Sequence, residues 1–366
     1  MKILQLGKFY PVRGGVEKVM YDLTDGISSR GIRCDMLCAI FSKKKRSILN
    51  LNEYGRVICV KAYAKLAGTM IAPSMISYLR KHRGEYDIVH VHHPDPMAAL
   101  ALKLSGYKGR VILHWHSDIV AQKEFFFLYK PLQNWLVRRS DKIVCTSPVY
   151  FKESPHLAKV QQKCTYVPIG IKPVKGDEDR ARELRSRFPG KTIILSVGRL
   201  VPYKGYDYLI DAMKHLSDDF HLVIGGAGPL EQDLICHIAR ESLEDKVTML
   251  GLVPDDELHA WYLACDVFVL PSVMKTEAFG IVQIEAMSCG KPVVATRIPG
   301  SGVPWVNRDG QSGVNVEPRN PEALAEGILR DVQNAQSFGQ GARDLFLERY
   351  TLDMMINKTI QIYEKA

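Results

Sequence analysis

The stretch that decides the fold is Pro271-Ser-Val-Met-Lys-Thr-Glu277-Ala-Phe-Gly280-Ile-Val-Gln-Ile-Glu285-Ala-Met-Ser-Cys-Gly290-Lys-Pro-Val-Val-Ala-Thr296. The apolar run Val267 to Leu270 ahead of it reads as a strand that stops at the Pro-Ser turn. A helical run then begins near Gly280, and Pro292 to Thr296 reads as the next strand. Glu277 and Phe279-Gly280 fall where a helix start leaves backbone N–H groups unpaired, which makes the turn an anion site with a carboxylate beside it. Glu285, about a turn and a half past the helix start, lies deeper along the same element. Two carboxylates therefore border one cleft at different depths. The competing view is an N-terminal acid favoured by the helix dipole and an ordinary surface residue.

Working outward, the second half repeats this rhythm. Strand Thr192 to Val197 runs into Gly198-Arg199-Leu200-Val201-Pro202-Tyr203-Lys204-Gly205, strand His221 to Ile224 into Gly225-Gly226-Ala227-Gly228-Pro229, and strand Val247 to Leu250 into Gly251-Leu252-Val253-Pro254. The first half shows it too. Residues 2 to 7 form a strand followed by Gly14-Gly15 and a helix, and further strands are expected at Cys34 to Ile40, Tyr86 to His93, from Val111, at Asp141 to Thr146 and at Thr165 to Ile169. Alternating strands and helices with glycine-marked strand ends predict an α/β protein of two doubly wound Rossmann-like domains. Ligands are expected at the carboxyl ends of the strands, lining an interdomain cleft. The segment Lys172-Pro-Val-Lys-Gly176 is the best linker, giving a first domain of residues 1–172.

A chain of 366 residues exceeds one typical core, and 46% hydrophobic with 24% charged residues is the composition of a folded protein. No apolar run approaches the ~20 residues that cross a bilayer. The opening Met1-Lys-Ile-Leu-Gln-Leu-Gly7 reads as a first strand rather than a signal peptide, so a cytoplasmic location is expected. Eight scattered cysteines without a C-x-x-C pair predict free thiols. The charge is uneven: residues 1–172 hold 28 basic against 12 acidic side chains, and residues 173–366 hold 21 against 28. A basic first half implies an anionic partner there, nucleic acid or a membrane surface. Nucleic acid is disfavoured because the basic residues lack interleaved aromatic platforms.

The membrane reading has three sequence supports: the basic loop Lys43 to Arg46, the basic amphipathic segment 64–83, and Phe125-Phe-Phe127 within the helical run 122–139. Three consecutive phenylalanines cannot all face one side of a helix, so at least one meets something other than the domain's own core. Packing of the 64–83 segment on the domain's own sheet is the competing reading. The histidines of His90-Val-His92-His93 and His114-Trp-His116 invite a metal reading, but no ligand spacing of a known site is present and strand alternation explains the first group. Arg199 and Lys204, on one loop closed by Gly205, suit a diphosphate, since fixed cations neutralise charge that develops on a phosphate leaving group.

Glu277-Ala-Phe-Gly280 with Glu285, Gly290-Lys-Pro292, Gly198-Arg199 with Lys204-Gly205, Gly225-Gly-x-Gly228-Pro229 and Gly14-Gly15-x-Glu17 together closely resemble the retaining GT-B glycosyltransferases of family 4. The resemblance spans nearly the whole chain. His90-Val-His92, His116-Ser-Asp118, Tyr129-Lys-Pro131 and Gly302-Val-Pro-Trp305 resemble a subgroup of bacterial O-antigen and capsule assembly. The family implies a GT-B fold, a nucleotide-sugar-binding domain at 173–345, and a C-terminal helix at 346–366 that crosses back to the first domain. It implies that Glu277 contacts the sugar near the reacting carbon, that the backbone of Ala278, Phe279, Gly280 and Ile281 holds sugar and phosphate, and that Glu285 binds the ribose. Arg199 and Lys204 match the diphosphate clamp beside Gly198, and Leu252 and Val253 lie by the base. Gly14 and Gly15 match a loop over the phosphates, and His116 matches a histidine near the reaction centre, with His114 as the neighbouring ambiguity. His92 and Asp118 are expected on the acceptor side.

The reaction so implied is a retaining, metal-independent glycosyl transfer with no cofactor beyond the donor substrate. The subgroup resemblance favours mannose from GDP-mannose, passed to a polyprenyl-diphosphate-linked glycan by a protein peripheral at the inner face of the plasma membrane. A UDP-sugar with a soluble acceptor, a GT-B sugar-nucleotide epimerase and a non-catalytic nucleotide-sugar binding protein are the alternatives.

Overall fold

A computed structural model describes all residues except 13, 45, 67, 120–122 and 366, and also leaves out the side chains of 123–126 and 128. Phe125, Phe126 and Lys45 of the expected membrane-facing segments therefore lie outside the described side chains. The chain divides into two compact units, Met1–Gly170 with Leu352–Ala366, and Ile171–Thr351.

The strands of the first unit are β1 (Lys2–Phe9), β2 (Arg33–Ile40), β3 (Arg46–Asn52), β4 (Gly55–Lys61), β5 (Ala64–Leu66), β6 (Thr69–Ile71), β7 (Ile88–His93), β8 (Arg110–Trp115), β9 (Lys142–Cys145) and β10 (Cys164–Tyr166). Eight of them form one sheet in the order β10-β9-β8-β7-β1-β2-β4-β3, parallel except for the β3 edge. The near-continuous apolar runs of β1, β2, β7 and β8 suit a sheet covered on both faces, and their central residues are buried. Strand order reverses at β1, which pairs β2 on one side and β7 on the other. That is where an open α/β sheet leaves a crevice for ligands.

Two features differ from the sequence expectation. Arg46, the end of the expected basic loop, begins edge strand β3, where Ile48 and Leu49 are largely exposed and so carry no clean alternation. The 64–83 segment is not one amphipathic element. Its first part is the β5/β6 hairpin, and helix Ser74–His82 starts only after Pro73 and buries Met75 and Leu79, one turn apart.

The second unit carries β11 (Thr192–Val197), β12 (Phe220–Gly225), β13 (Val247–Gly251), β14 (Val267–Leu270), β15 (Val293–Thr296) and β16 (Gly313–Val316), in the order β13-β12-β11-β14-β15-β16 and all parallel. Its order reverses at β11, between β12 and β14. Helices Tyr206–Ala212 and Pro321–Gln333 cover one face through Leu209, Ile210, Leu324 and Ile328.

The run 346–366 is not a single helix. Helix Ala335–Arg349 ends before the buried Tyr350, whose carbonyl accepts from Ile171 N at 2.9 Å, and Thr351 bridges to Ile171. Helix Leu352–Lys365 then belongs to the first unit, packed on helix Gly15–Ser28. The approach is close enough that a Cβ on Gly26 would meet Ile356 Cδ1 and force that side chain to shift.

Candidate active site

In the second unit, the loops after β11 and β14 flank the point of strand-order reversal. After β11 the chain passes Gly198 and the exposed Arg199, makes a short 3-10 turn at Pro202–Lys204, and enters helix Tyr206–Ala212. After β14 it runs through Pro271 to Gly280 into helix Ile281–Ser288. Val273 N donates to Tyr203 O at 2.8 Å, tying the two loops together. Between them Lys204 Nζ meets Glu277 Oε2 at 2.6 Å, both side chains being about nine-tenths buried. Burial alone would drive the ammonium toward neutrality, but the Glu277 carboxylate outweighs it and the Lys204 pKa ends above the ordinary value. Ser272 Oγ donates to the same carboxylate oxygen at 3.2 Å. Arg199 forms no ion pair among the described residues.

Gly280 sits in the left-handed region at φ 74°, where a Cβ would come within 2.5 Å of Leu270 Cδ2. It forms the N-cap of helix Ile281–Ser288 with no side-chain cap; Gln283 N donates to Gly280 O at 3.0 Å, which leaves the amides of Ile281 and Val282 for a ligand. Ala278 and Phe279 are buried behind it, with Phe279 edge-on to Tyr350 at 6.0 Å between ring centres. Further along, Glu285 accepts from Tyr262 Oη at 2.6 Å, and burial followed by that carboxylate pushes the phenol pKa well up. Leu252, just past β13, is 82% exposed and Val253 is half-buried.

In the first unit, Lys8 near the end of β1 holds a left-handed backbone at φ 59°. Its amide donates to Asp95 Oδ2 at 2.5 Å and its ammonium to Pro94 O, while Asp95 Oδ1 caps helix Pro96–Ser105 through Ala98 N at 3.0 Å. Gly14 and Gly15 are exposed at the uncapped start of helix Gly15–Ser28.

Four histidines, His90 and His92 of β7, His114 of β8 and His116 just past it, stack. His114 and His116 lie 4.0 Å apart with planes within 7°, and His90 and His92 lie 4.8 Å apart. His116 Nε2 is 2.9 Å from His92 Nδ1, His92 Nε2 is 2.8 Å from Gln5 Oε1, Gln5 Nε2 donates to Tyr363 Oη at 3.0 Å, and that hydroxyl is 2.5 Å from His90 Nδ1. Both nitrogens of His114 are buried without a partner among the described residues. Burial lowers all four pKa values, His114 to about 3, and the charges of neighbouring histidines lower His116 and His92 further. The cluster is neutral at physiological pH.

His116 lies just past the end of β8 and is 4% exposed, whereas His114 lies inside the strand. His92 is a correction. It has no exposed surface and both ring nitrogens are bonded internally, so it does not meet an acceptor but supports His116. Asp118 is similarly engaged: its Oδ1 accepts from Trp115 Nε1 at 2.9 Å and Ser154 Oγ at 2.8 Å. Sequence reading did not single out Gln5, Lys8, Tyr262 or Tyr363. A polar residue amid the apolar Ile3-Leu-Gln-Leu6 was the one signal available for any of them.

Comparisons with known proteins agree across the whole chain. Residues 13–175 match the family model described as Glycosyltransferase Family 4, and residues 177–344 match the model described as Glycosyl transferases group 1. The chain is 31% identical to O-antigen chain mannosyltransferase C of Escherichia coli, covering 99% of this chain and 98% of that one. It is 30% identical to D-rhamnosyltransferase WbpZ of Pseudomonas aeruginosa, covering 96% and 92%. Among solved structures, HepE of Anabaena in complex with UDP superposes with a TM-score of 0.80 at 21% identity, over all of both chains.

Proposed function

The chain belongs to glycosyltransferase family 4, with the GT-B fold, and from that premise we propose that it transfers a hexose from a nucleotide sugar to a lipid-linked glycan with retention of configuration. The observation that carries the reading is the buried Lys204–Glu277 pair, with Glu277 on the loop that leads into the uncapped helix start at Gly280. A diphosphate arriving there meets the Lys204 ammonium, the exposed Arg199 and the first-turn amides. Glu277 is then free to accept hydroxyl protons of the sugar, and Glu285, held by Tyr262, to accept those of the ribose. Leu252 and Val253 border the base.

The bond from the anomeric carbon to the diphosphate oxygen breaks as the acceptor hydroxyl attacks from the same face, and its proton passes to the leaving oxygen. Cation and amide stabilisation of the departing diphosphate supplies the rate, so no protein base is needed. A metal-independent route suits the fixed cations.

GDP-mannose is favoured as donor because two relatives, 31% and 30% identical over nearly the whole chain, are named for mannosyl and D-rhamnosyl transfer. A membrane-surface acceptor is supported by Phe41, Tyr63 and Leu66, all more than half exposed, in a segment that also carries Lys43, Lys44, Lys61 and Lys65. Among the described residues no helix is long and apolar enough to cross a membrane, so contact is peripheral in this reading. The test is nucleotide release from a panel of GDP- and UDP-sugars with and without a polyprenyl-diphosphate glycan. Release that needs the acceptor and proceeds best with GDP-mannose is expected. Interconversion of the donor without acceptor would mean an epimerase, and binding without turnover would mean a non-catalytic protein.

A further inference from the structure

The histidine stack contains more than packing. Starting from Tyr363, a continuous chain of hydrogen bonds runs through Gln5 and His92 to His116. Each proton along it can be placed. Gln5 donates through Nε2 to Tyr363 Oη, with Cys34 Sγ a second contact at 3.7 Å, which leaves Oε1 as an acceptor only. The phenol, having accepted from Gln5, turns its own proton to His90 Nδ1. His92 must donate from Nε2 to Gln5 Oε1. Being neutral, it offers Nδ1 as a lone pair, and His116 must donate to it from Nε2.

We infer that His92, set by Gln5 and Tyr363, is a positioning residue that holds His116 in the Nε2–H tautomer and leaves its Nδ1 as an acceptor for a ligand hydroxyl. No described residue bonds His116 Nδ1, and that atom is not among the buried unpartnered ones. The last helical turn of the chain, through Tyr363, thereby fixes which hydrogen-bonding face His116 presents. The inference rests on the proposed function only for the identity of the ligand; the tautomer is a property of the free protein.

The experiment reads both. In histidine-labelled protein without ligand, two-dimensional ¹⁵N correlation spectra, assigned with His116→Ala and His92→Asn, should show His116 and His92 each protonated at Nε2 and unprotonated at Nδ1. His116 protonated at Nδ1, or as imidazolium near pH 7, overturns the relay whatever the enzyme's activity.

Kinetics with the donor found active add a second arm. Asn at position 92 places a carbonyl oxygen where Nδ1 was and retains the acceptor for His116; Gln places its amide at the Nε2 position and does not. His92→Asn should stay within about threefold of wild type in kcat/KM, while His92→Gln and His92→Phe should fall about tenfold, the worth of one hydrogen bond. Equal losses in Asn and Gln variants of unchanged Tm would overturn the positioning role. Unchanged kcat/KM in His116→Ala, with the expected tautomer in the wild type, would instead refute His116 as a ligand-contacting residue and leave the relay standing.

Discussion

The two units bury polar groups at the same place, the carboxyl ends of parallel strands where strand order reverses, and solve the cost of burial in opposite ways. The second unit keeps its groups charged. Lys204 and Glu277 neutralise each other at 2.6 Å, and the pair holds the lysine protonated despite burial. The first unit keeps its groups neutral. Four stacked histidines lose their charge to burial, and three of them, His90, His92 and His116, enter a hydrogen-bonded network instead. The contrast matches two tasks: a charged pair can be redistributed onto an anionic ligand, whereas a neutral network fixes donor and acceptor directions without carrying charge.

The largest effect that would break this comparison is at Lys204. Lys204→Ala removes the cation proposed to meet the diphosphate and leaves Glu277 buried without its ion-pair partner, so kcat should fall by about two decades or more with native circular dichroism retained. Near-normal turnover would mean the pair is structural only.

The histidine side is sharpened by pH. An unfolded imidazole protonates near pH ~6.5, whereas His93 and His114 resist protonation to about 3 in the fold. Their contribution to stability is therefore complete above the unfolded value and is lost as pH falls below it, by up to about 1.4 kcal/mol per pH unit for each histidine. Urea midpoints between pH 7 and 5 should fall with that sign, and His114→Leu should flatten the slope. At pH 7 the variant should be as stable as the parent or more so, because two unpartnered buried nitrogens are removed. A slope unchanged in His114→Leu would show that the acid sensitivity arises elsewhere.

The smallest effect is at Tyr262. Tyr262→Phe removes one hydrogen bond to Glu285 and should weaken nucleotide binding about five- to tenfold in calorimetry, with kcat at saturation little changed. A fall in kcat alone would place Glu285 at the reacting carbon instead of the ribose.

Much of this was legible before folding. Glycine-marked strand ends located the loops after β11 and β13 that carry Arg199, Lys204, Leu252 and Val253, because a chain turning sharply out of a buried strand needs residues free of a Cβ. Strands β11 and β14 appear at the residues expected, since their apolar runs end at hard punctuation, Gly198 and Pro271. Edge strand β3 and the β5/β6 hairpin were not legible, because exposed edges lack the alternation that burial imposes on one face. His92 was misread for a related reason: alternation along β7 tells which face a side chain joins, not whether that face is closed off by a helix.

Residue order was enough for the two-fold α/β rhythm, the resemblance to the glycosyltransferase family and the choice of Arg199, Lys204, Glu277 and Glu285 as candidates, since each motif lies within one strand-turn-helix unit. Folding was needed for everything that joins distant segments: Lys204 to Glu277, Tyr262 to Glu285, and Tyr363 through Gln5 and His92 to His116. Those contacts depend on which strands lie side by side and on where the last helix docks. Hydrophobic periodicity constrains the faces of each element but not the order of its neighbours.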